Sequence, residues 1–197
     1  MKRTLSLKTL GLTAALLMGT SGVALATPSG TSVVNTIDLE YDTGGNTITR
    51  NDAATVTFLV DTGIDLIVEG QDAGNAITVT QSQDPAVLTY RVENLSNDTF
   101  GFDVDVADSG TIGLTYDAAG SGNEGTYFVA YDTNPTYNPG TATVYDVNGV
   151  NNVIDRAEGE DFFVFVVGHI PNTATDGQVD TFDVTATVLD AGTNTVT

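Results

Sequence analysis

Phe100-Gly101-Phe102-Asp103-Val104-Asp105-Val106 alternates apolar and acidic side chains along an extended stretch. Successive side chains of a strand point to opposite faces, so Phe100, Phe102, Val104 and Val106 share one face and Asp103 and Asp105 the other. The pattern predicts a strand packed on one side and wet on the other. Phe162-Phe163-Val164-Phe165-Val166-Val167 is apolar at every position. Such a run predicts a central strand covered on both faces. Together the two stretches predict sheets packed face to face.

Working outward, strand-like alternation recurs at residues 37–42, 56–60, 64–68, 76–80, 87–93, 126–131 and 179–189, and long helical periodicity is missing. Ile37, Leu39 and Tyr41 alternate with Asp38, Glu40 and Asp42, and Val56, Phe58 and Val60 repeat the pattern after the turn signal Gly44-Gly45-Asn46. Phe182, Val184, Ala186 and Val188 form the inward face of the last strand. Clusters of Gly, Asn, Asp and Ser at 117–125, 134–140 and 172–177 carry turn chemistry. Residues 131–160 are the least regular and read as an elaborated loop. Roughly eight to ten short strands with polar turns predict an all-β, antiparallel β-sandwich.

The beginning of the chain carries an address. Met1-Lys2-Arg3 and Lys8 precede a largely apolar, uncharged stretch at 10–18, and Ala24-Leu25-Ala26 supplies small residues for cleavage. This is the layout of a secretory signal peptide over residues 1–26. The expected mature chain is one domain over residues 27–197, exported to the extracellular space or cell surface, or to the periplasm. No second apolar segment reaches membrane-spanning length, so no integral membrane anchor is expected. Residues 27–34 are small, polar and β-branched and end in Val33-Val34, which suits either an extended N-terminal arm or a frayed terminus.

After cleavage the basic side chains are Arg50, Arg91 and Arg156 alone, against 26 carboxylates, a formal charge of −23. Nucleic acid is bound chiefly by Lys and Arg on phosphates, so that class of partner is excluded. The balance suits divalent cations, or solubility in a salty medium where charges are screened. The chain has no cysteine, which excludes disulfides, lipid attachment through a thioether and thiol catalysis. Arg91 lies within a predicted strand, where a cross-strand carboxylate would pair with it.

Chemical constellations are sparse. His169 is the only histidine, and no Gly-x-Ser-x-Gly elbow accompanies it, so it reads as a packing or turn residue. A glycoside hydrolase needs only two carboxylates at a suitable separation, but the many acids nominate no pair. Tryptophan is missing, leaving Tyr127, Tyr131, Tyr137 and Tyr145 as candidates for stacking on a glycan. The densest oxygen-rich run is Asp146-Val147-Asn148-Gly149-Val150-Asn151-Asn152-Val153-Ile154-Asp155, followed by Glu158, Glu160 and Asp161. Calcium takes six to eight such oxygens from a flexible loop, which makes Asp146, Asn148, Asn152, Asp155 and Glu158 candidate ligands. The EF-hand spacing is not met, because Val150 stands at the fifth position and no Glu at the twelfth. The alternative is a solvated Asx-rich turn, and no cofactor is required.

The order of motifs has a precedent. Asn35-Thr36-Ile37-Asp38-Leu39-Glu40-Tyr41, then Ala54-Thr55-Val56-Thr57-Phe58-Leu59-Val60-Asp61, Ile64-Asp65-Leu66-Ile67-Val68 and Leu88-Thr89-Tyr90-Arg91-Val92-Glu93-Asn94 follow in turn. With Ile170-Pro171, Asp176-Gly177 and Phe182-Asp183-Val184-Thr185-Ala186-Thr187, they resemble the bacterial surface-protein domains grouped as domain of unknown function number eleven. Where those domains often carry Asn-x-Gly-Asn, this chain has Asn94-Leu95-Ser96-Asn97. The resemblance implies an immunoglobulin-like β-sandwich with structural or adhesive work at the cell surface and no catalytic residues. The expected function is therefore a non-enzymatic surface or matrix protein, self-assembling by β-strand addition or joining other envelope proteins. The alternative is a monomeric calcium- or glycan-binding module, with a carboxylate-dependent glycoside hydrolase third.

Overall fold

The structure, a computed structural model, describes residues 27–43, 45–149 and 153–190. The expected signal peptide, residues 1–26, and Asn152 lie outside the described residues. Eleven strands are described, and the regular helical structure is a single 3-10 turn at Ala73–Asn75. Strands β1 (Ser32–Thr43) and β2 (Asn46–Leu59) pair antiparallel as a long hairpin. The larger sheet of the sandwich runs β3 (Leu66–Gly70), β4 (Ala86–Asn94), β10 (Asp161–Gly168), β7 (Thr126–Asp132). Beyond β7, β6 (Thr115–Tyr116) and β8 (Thr143–Tyr145) share its outer edge. The smaller sheet runs β11 (Asp180–Asp190), β5 (Phe100–Gly110), β9 (Ile154–Arg156). All pairings are antiparallel except the short β6–β7 contact.

The predicted β5 pattern holds residue by residue. Phe100, Phe102, Val104 and Val106 are buried between the sheets, while Asp103 and Asp105 face water. From β10, Phe162, Val164 and Val166 enter the same core, where the Phe102 and Phe162 rings meet at 5.8 Å. The other face of β10 carries Phe163, Phe165 and Val167 into a second apolar layer with Phe128 and Ala130. Tyr137 and Ala142, from the connection between β7 and β8, cover that layer. Burying each aliphatic or aromatic side chain contributes about 1.5–3 kcal/mol, so a strand filled on both faces anchors the domain.

Three expectations change. Residues 76–80 alternate like a strand but join no sheet among the described residues, because the 3-10 turn turns the chain away from the edge of β4. The irregular stretch 131–160 contains β8 and β9, each three residues long. The runs at 37–42 and 56–60, read as sandwich strands with a buried apolar face, belong instead to the β1–β2 hairpin outside the two sandwich sheets, where 37–42 pairs with residues 47–54 and 56–59 with residues 32–35. Period-two alternation reports a two-faced strand, and it does not report what covers the apolar face.

Candidate functional site

The hairpin is the feature that the sandwich core does not explain. Directly opposed residues of an antiparallel pair project from the same face. Val33 lies opposite Phe58, Asn35 opposite Val56, and Ile37 opposite Ala54. That face is apolar apart from one amide. The reverse face carries Ser32 with Leu59, Val34 with Thr57, and Thr36 with Thr55. Ile37, Val56 and Phe58 are 56%, 52% and 54% exposed, and every described side chain from 32 to 59 is exposed. The ribbon therefore offers water a continuous apolar surface of the kind that soluble proteins use for contacts. Of the expected arm at 27–34, Ser32, Val33 and Val34 are part of this ribbon and already have ladder partners, while residues 27–31 precede it.

The ribbon is held at its base by the turn Asn94-Leu95-Ser96-Asn97. The Asn97 side chain donates to the carbonyls of Thr27 and Asp61 at 3.1 and 3.0 Å and accepts from the Gly63 amide at 2.7 Å. Both legs of the ribbon are thus tied to the β4–β5 connection. Ser96, buried, bonds the backbone of Asp65 in both directions at 2.9 Å. A glycine in its place has no hydroxyl to make these bonds. Asn94, also buried, donates to the carbonyls of Asp98 and Arg156 at 2.9 Å and fixes the same turn. The run Asn94-Leu95-Ser96-Asn97 was visible in the sequence, but its partners Thr27, Asp61, Gly63, Asp65 and Arg156 are 30 or more residues away and were not.

At the opposite end of the sandwich the sheets part to leave a groove of about 900 Å³. Leu88 and Tyr90 of β4, Ile170 after β10, Ile112 and Leu114 after β5, and Phe182 of β11 line it. Of its lining side chains only Asp176 and Asp180 are charged. The Asp180 carboxylate accepts the backbone amides of Ile112, Gly113 and Leu114 at 2.9, 3.3 and 3.2 Å. Residues 76–80 also line the groove, with Val79 packed on the core and Ile77 exposed.

The candidate calcium ligands are distributed along one connection. Asp146 accepts the Asn148 amide at 3.0 Å and the Tyr116 hydroxyl at 3.2 Å, an Asx turn closing β8. Asn148 is exposed in that turn, Asp155 lies in β9, and Glu158 sits half-buried in the turn before β10. One Glu158 carboxylate oxygen is buried without a hydrogen-bond partner among the described residues. No three acidic or imidazole groups among the described residues cluster to hold a metal ion.

The remaining candidates are taken up by packing. His169 is buried and stacked on Phe128, with Nδ1 2.6 Å from an Asp84 carboxylate oxygen. That approach is close enough for an ion pair, but it lies off hydrogen-bond geometry and Nε2 has no partner among the described residues. Tyr127 and Tyr145 are buried, Tyr137 packs edge-on against Phe165, and Tyr131 packs edge-on against Tyr145. Burial and the carboxylate acceptors Asp108 and Asp103 push the Tyr127 and Tyr145 hydroxyls far above the ordinary phenol range. Arg91 pairs with Asp161 at 2.9 Å and Glu93 at 2.5 Å, as its place in a strand predicts. Its hydrogen bond to Asp161 raises its pKa further.

No helix among the described residues is long and apolar enough to cross a membrane. No protein-family model, curated protein or solved structure matches this chain.

Proposed function

We propose that this chain is an exported, non-enzymatic structural or adhesive protein of the bacterial surface or matrix, an immunoglobulin-like unit that self-assembles by β-strand addition. The observation that carries the reading is the exposed apolar face of the β1–β2 ribbon. Covering Val33, Ile37, Val56 and Phe58 would contribute on the order of 1 kcal/mol each, since each is already part-shielded by its ribbon neighbours. A monomer that leaves these groups in water forgoes that stabilisation. The N-terminal signal pattern and the likeness to surface-protein domains support the same reading.

Replacing residues 32–59 by a short Gly-Ser linker tests it. The intact chain, secreted natively and concentrated in 1 M NaCl to screen its carboxylates, should form ordered fibres or lattices in negative-stain electron microscopy. The ribbonless variant should remain as single particles with the sandwich still folded, because no described side chain of the ribbon belongs to the buried core. An intact chain that stays monodisperse, or a ribbonless variant that assembles equally well, would overturn the proposal.

A further inference from the structure

We infer that the ribbon of one copy docks in the groove between β4 and β11 of the next copy, building a head-to-tail filament. The inference rests on the reading of the chain as an assembling subunit and adds the acceptor site to it.

The ends of the molecule are matched. The ribbon is clamped by Asn97, just past the C-terminal end of β4, whereas Leu88 and Tyr90 present the groove towards the N-terminal end of the same strand. The eight steps from Ala86 to Asn94 separate donor root and acceptor mouth by roughly 26 Å along the sandwich. The two surfaces therefore lie at opposite ends, and their pairing is heterologous. A heterologous contact that does not close into a ring propagates as an open filament.

The chemistry is matched as well. Strand β11 is an edge strand, its eleven residues paired on one side with β5 among the described residues. An edge strand beside a groove that mixes apolar side chains with uncharged Thr and Gln offers what an added strand requires: ladder bonds from the edge and pockets for alternate side chains. The ribbon brings Val33, Ile37, Val56 and Phe58 on one face, at the spacing of alternate strand positions. Its own copy leaves them exposed, so the chain does not fill its own groove.

Charge argues for a second copy over a foreign partner. Residues 32–37 and 54–59 contain no ionisable side chain, in a mature chain of formal charge −23. A cationic partner would be drawn to the carboxylate-bearing faces. The groove carries two charged lining side chains, Asp180, engaged by three amides, and the exposed Asp176. Docking there brings the neutral ribbon to the groove and keeps the acidic faces apart.

Because the chain lacks cysteine, single introduced thiols report the contact without background. Val56→Cys places one on the apolar ribbon face and Thr181→Cys one on β11 beside the groove, both at exposed positions. The full-length variants are mixed under assembling conditions and treated with a short bis-maleimide. Docked thiols sit at an effective concentration on the order of millimolar, so at micromolar protein the mixed pair should cross-link roughly 10²–10³ times faster than either variant alone. The double variant should give a ladder of covalent multimers. Cross-linking of Val56→Cys with itself, and not with Thr181→Cys, would overturn the groove assignment while leaving assembly through the ribbon standing. Absence of both cross-links and fibres would overturn the assembly reading and this inference with it.

Discussion

Replacing Tyr145 by Phe removes one hydroxyl and leaves the ring. That hydroxyl donates to an Asp103 carboxylate oxygen at 2.5 Å and accepts the buried Val104 amide at 3.0 Å. The Val104 amide needs it for a topological reason. Among the described residues β9 pairs with Phe100, Gly101 and Phe102, and no described strand lies beside that edge of β5 beyond Phe102. Tyr145, reaching across from β8 in the larger sheet, takes the place of the missing strand. Tyr145→Phe orphans a buried N–H, which costs about 1–3 kcal/mol, and loses a hydrogen bond to a charged acceptor worth about 1.5–3 kcal/mol. Asp103 is exposed and regains water, so the net loss should be about 2–4 kcal/mol. No cavity term enters, because the ring keeps its place against Tyr131. Equilibrium urea unfolding followed by tyrosine fluorescence should show a lower midpoint at unchanged slope. As a control, Tyr131→Phe, whose hydroxyl has no hydrogen bond among the described residues, should change stability by less than about 0.5 kcal/mol. A Tyr145→Phe loss as small as the control's would refute the claim that this hydroxyl completes the edge of β5.

Two further predictions follow from the same polar framework. The Tyr127 and Tyr145 hydroxyls are held protonated in the folded chain far above pH 10, the value at which the unfolded chain ionises them. Their contribution is therefore complete below pH 10 and is lost as pH rises, together about 2 kcal/mol between pH 10 and 11. Urea midpoints that do not move between those pH values would contradict the burial of both hydroxyls. Asp180→Ala should leave the amides of Ile112, Gly113 and Leu114 without their acceptor and cost about 2–4 kcal/mol. Scanning calorimetry should find the midpoint lowered by about 2–4 °C for each kcal/mol, and an unchanged midpoint would mean that water replaces the carboxylate.

The likeness between what the residues imply and what the fold contains is strongest where the signal is local. The alternation at 100–106 and the unbroken apolar run at 162–167 each specify a strand and its covered faces without reference to any distant residue. The same logic placed Arg91 in a strand beside carboxylates, and Asp161 and Glu93 are its partners. It misplaced residues 76–80, whose alternation is equally good but whose edge position depends on the 3-10 turn before them. It grouped the candidate calcium ligands by nearness in sequence, a signal that does not by itself specify convergence in space.

Period, composition and counting suffice for the all-β class, the faces of the sandwich strands and the acidic, cysteine-free character of the chain. That the apolar faces at 33–37 and 54–58 look into water while those at 100–106 look into a core follows from the folded arrangement alone. A two-residue period is the same in both cases. What differs is long-range: Asn97 ties the ribbon's legs to a turn dozens of residues later, and among the described residues β1 and β2 pair with each other and with no strand of the sandwich. The groove is likewise a product of topology, made by the ends of strands that meet only in the folded chain. Hydrophobic pattern specifies which side of a strand avoids water, and strand pairing specifies whether anything is there to cover it.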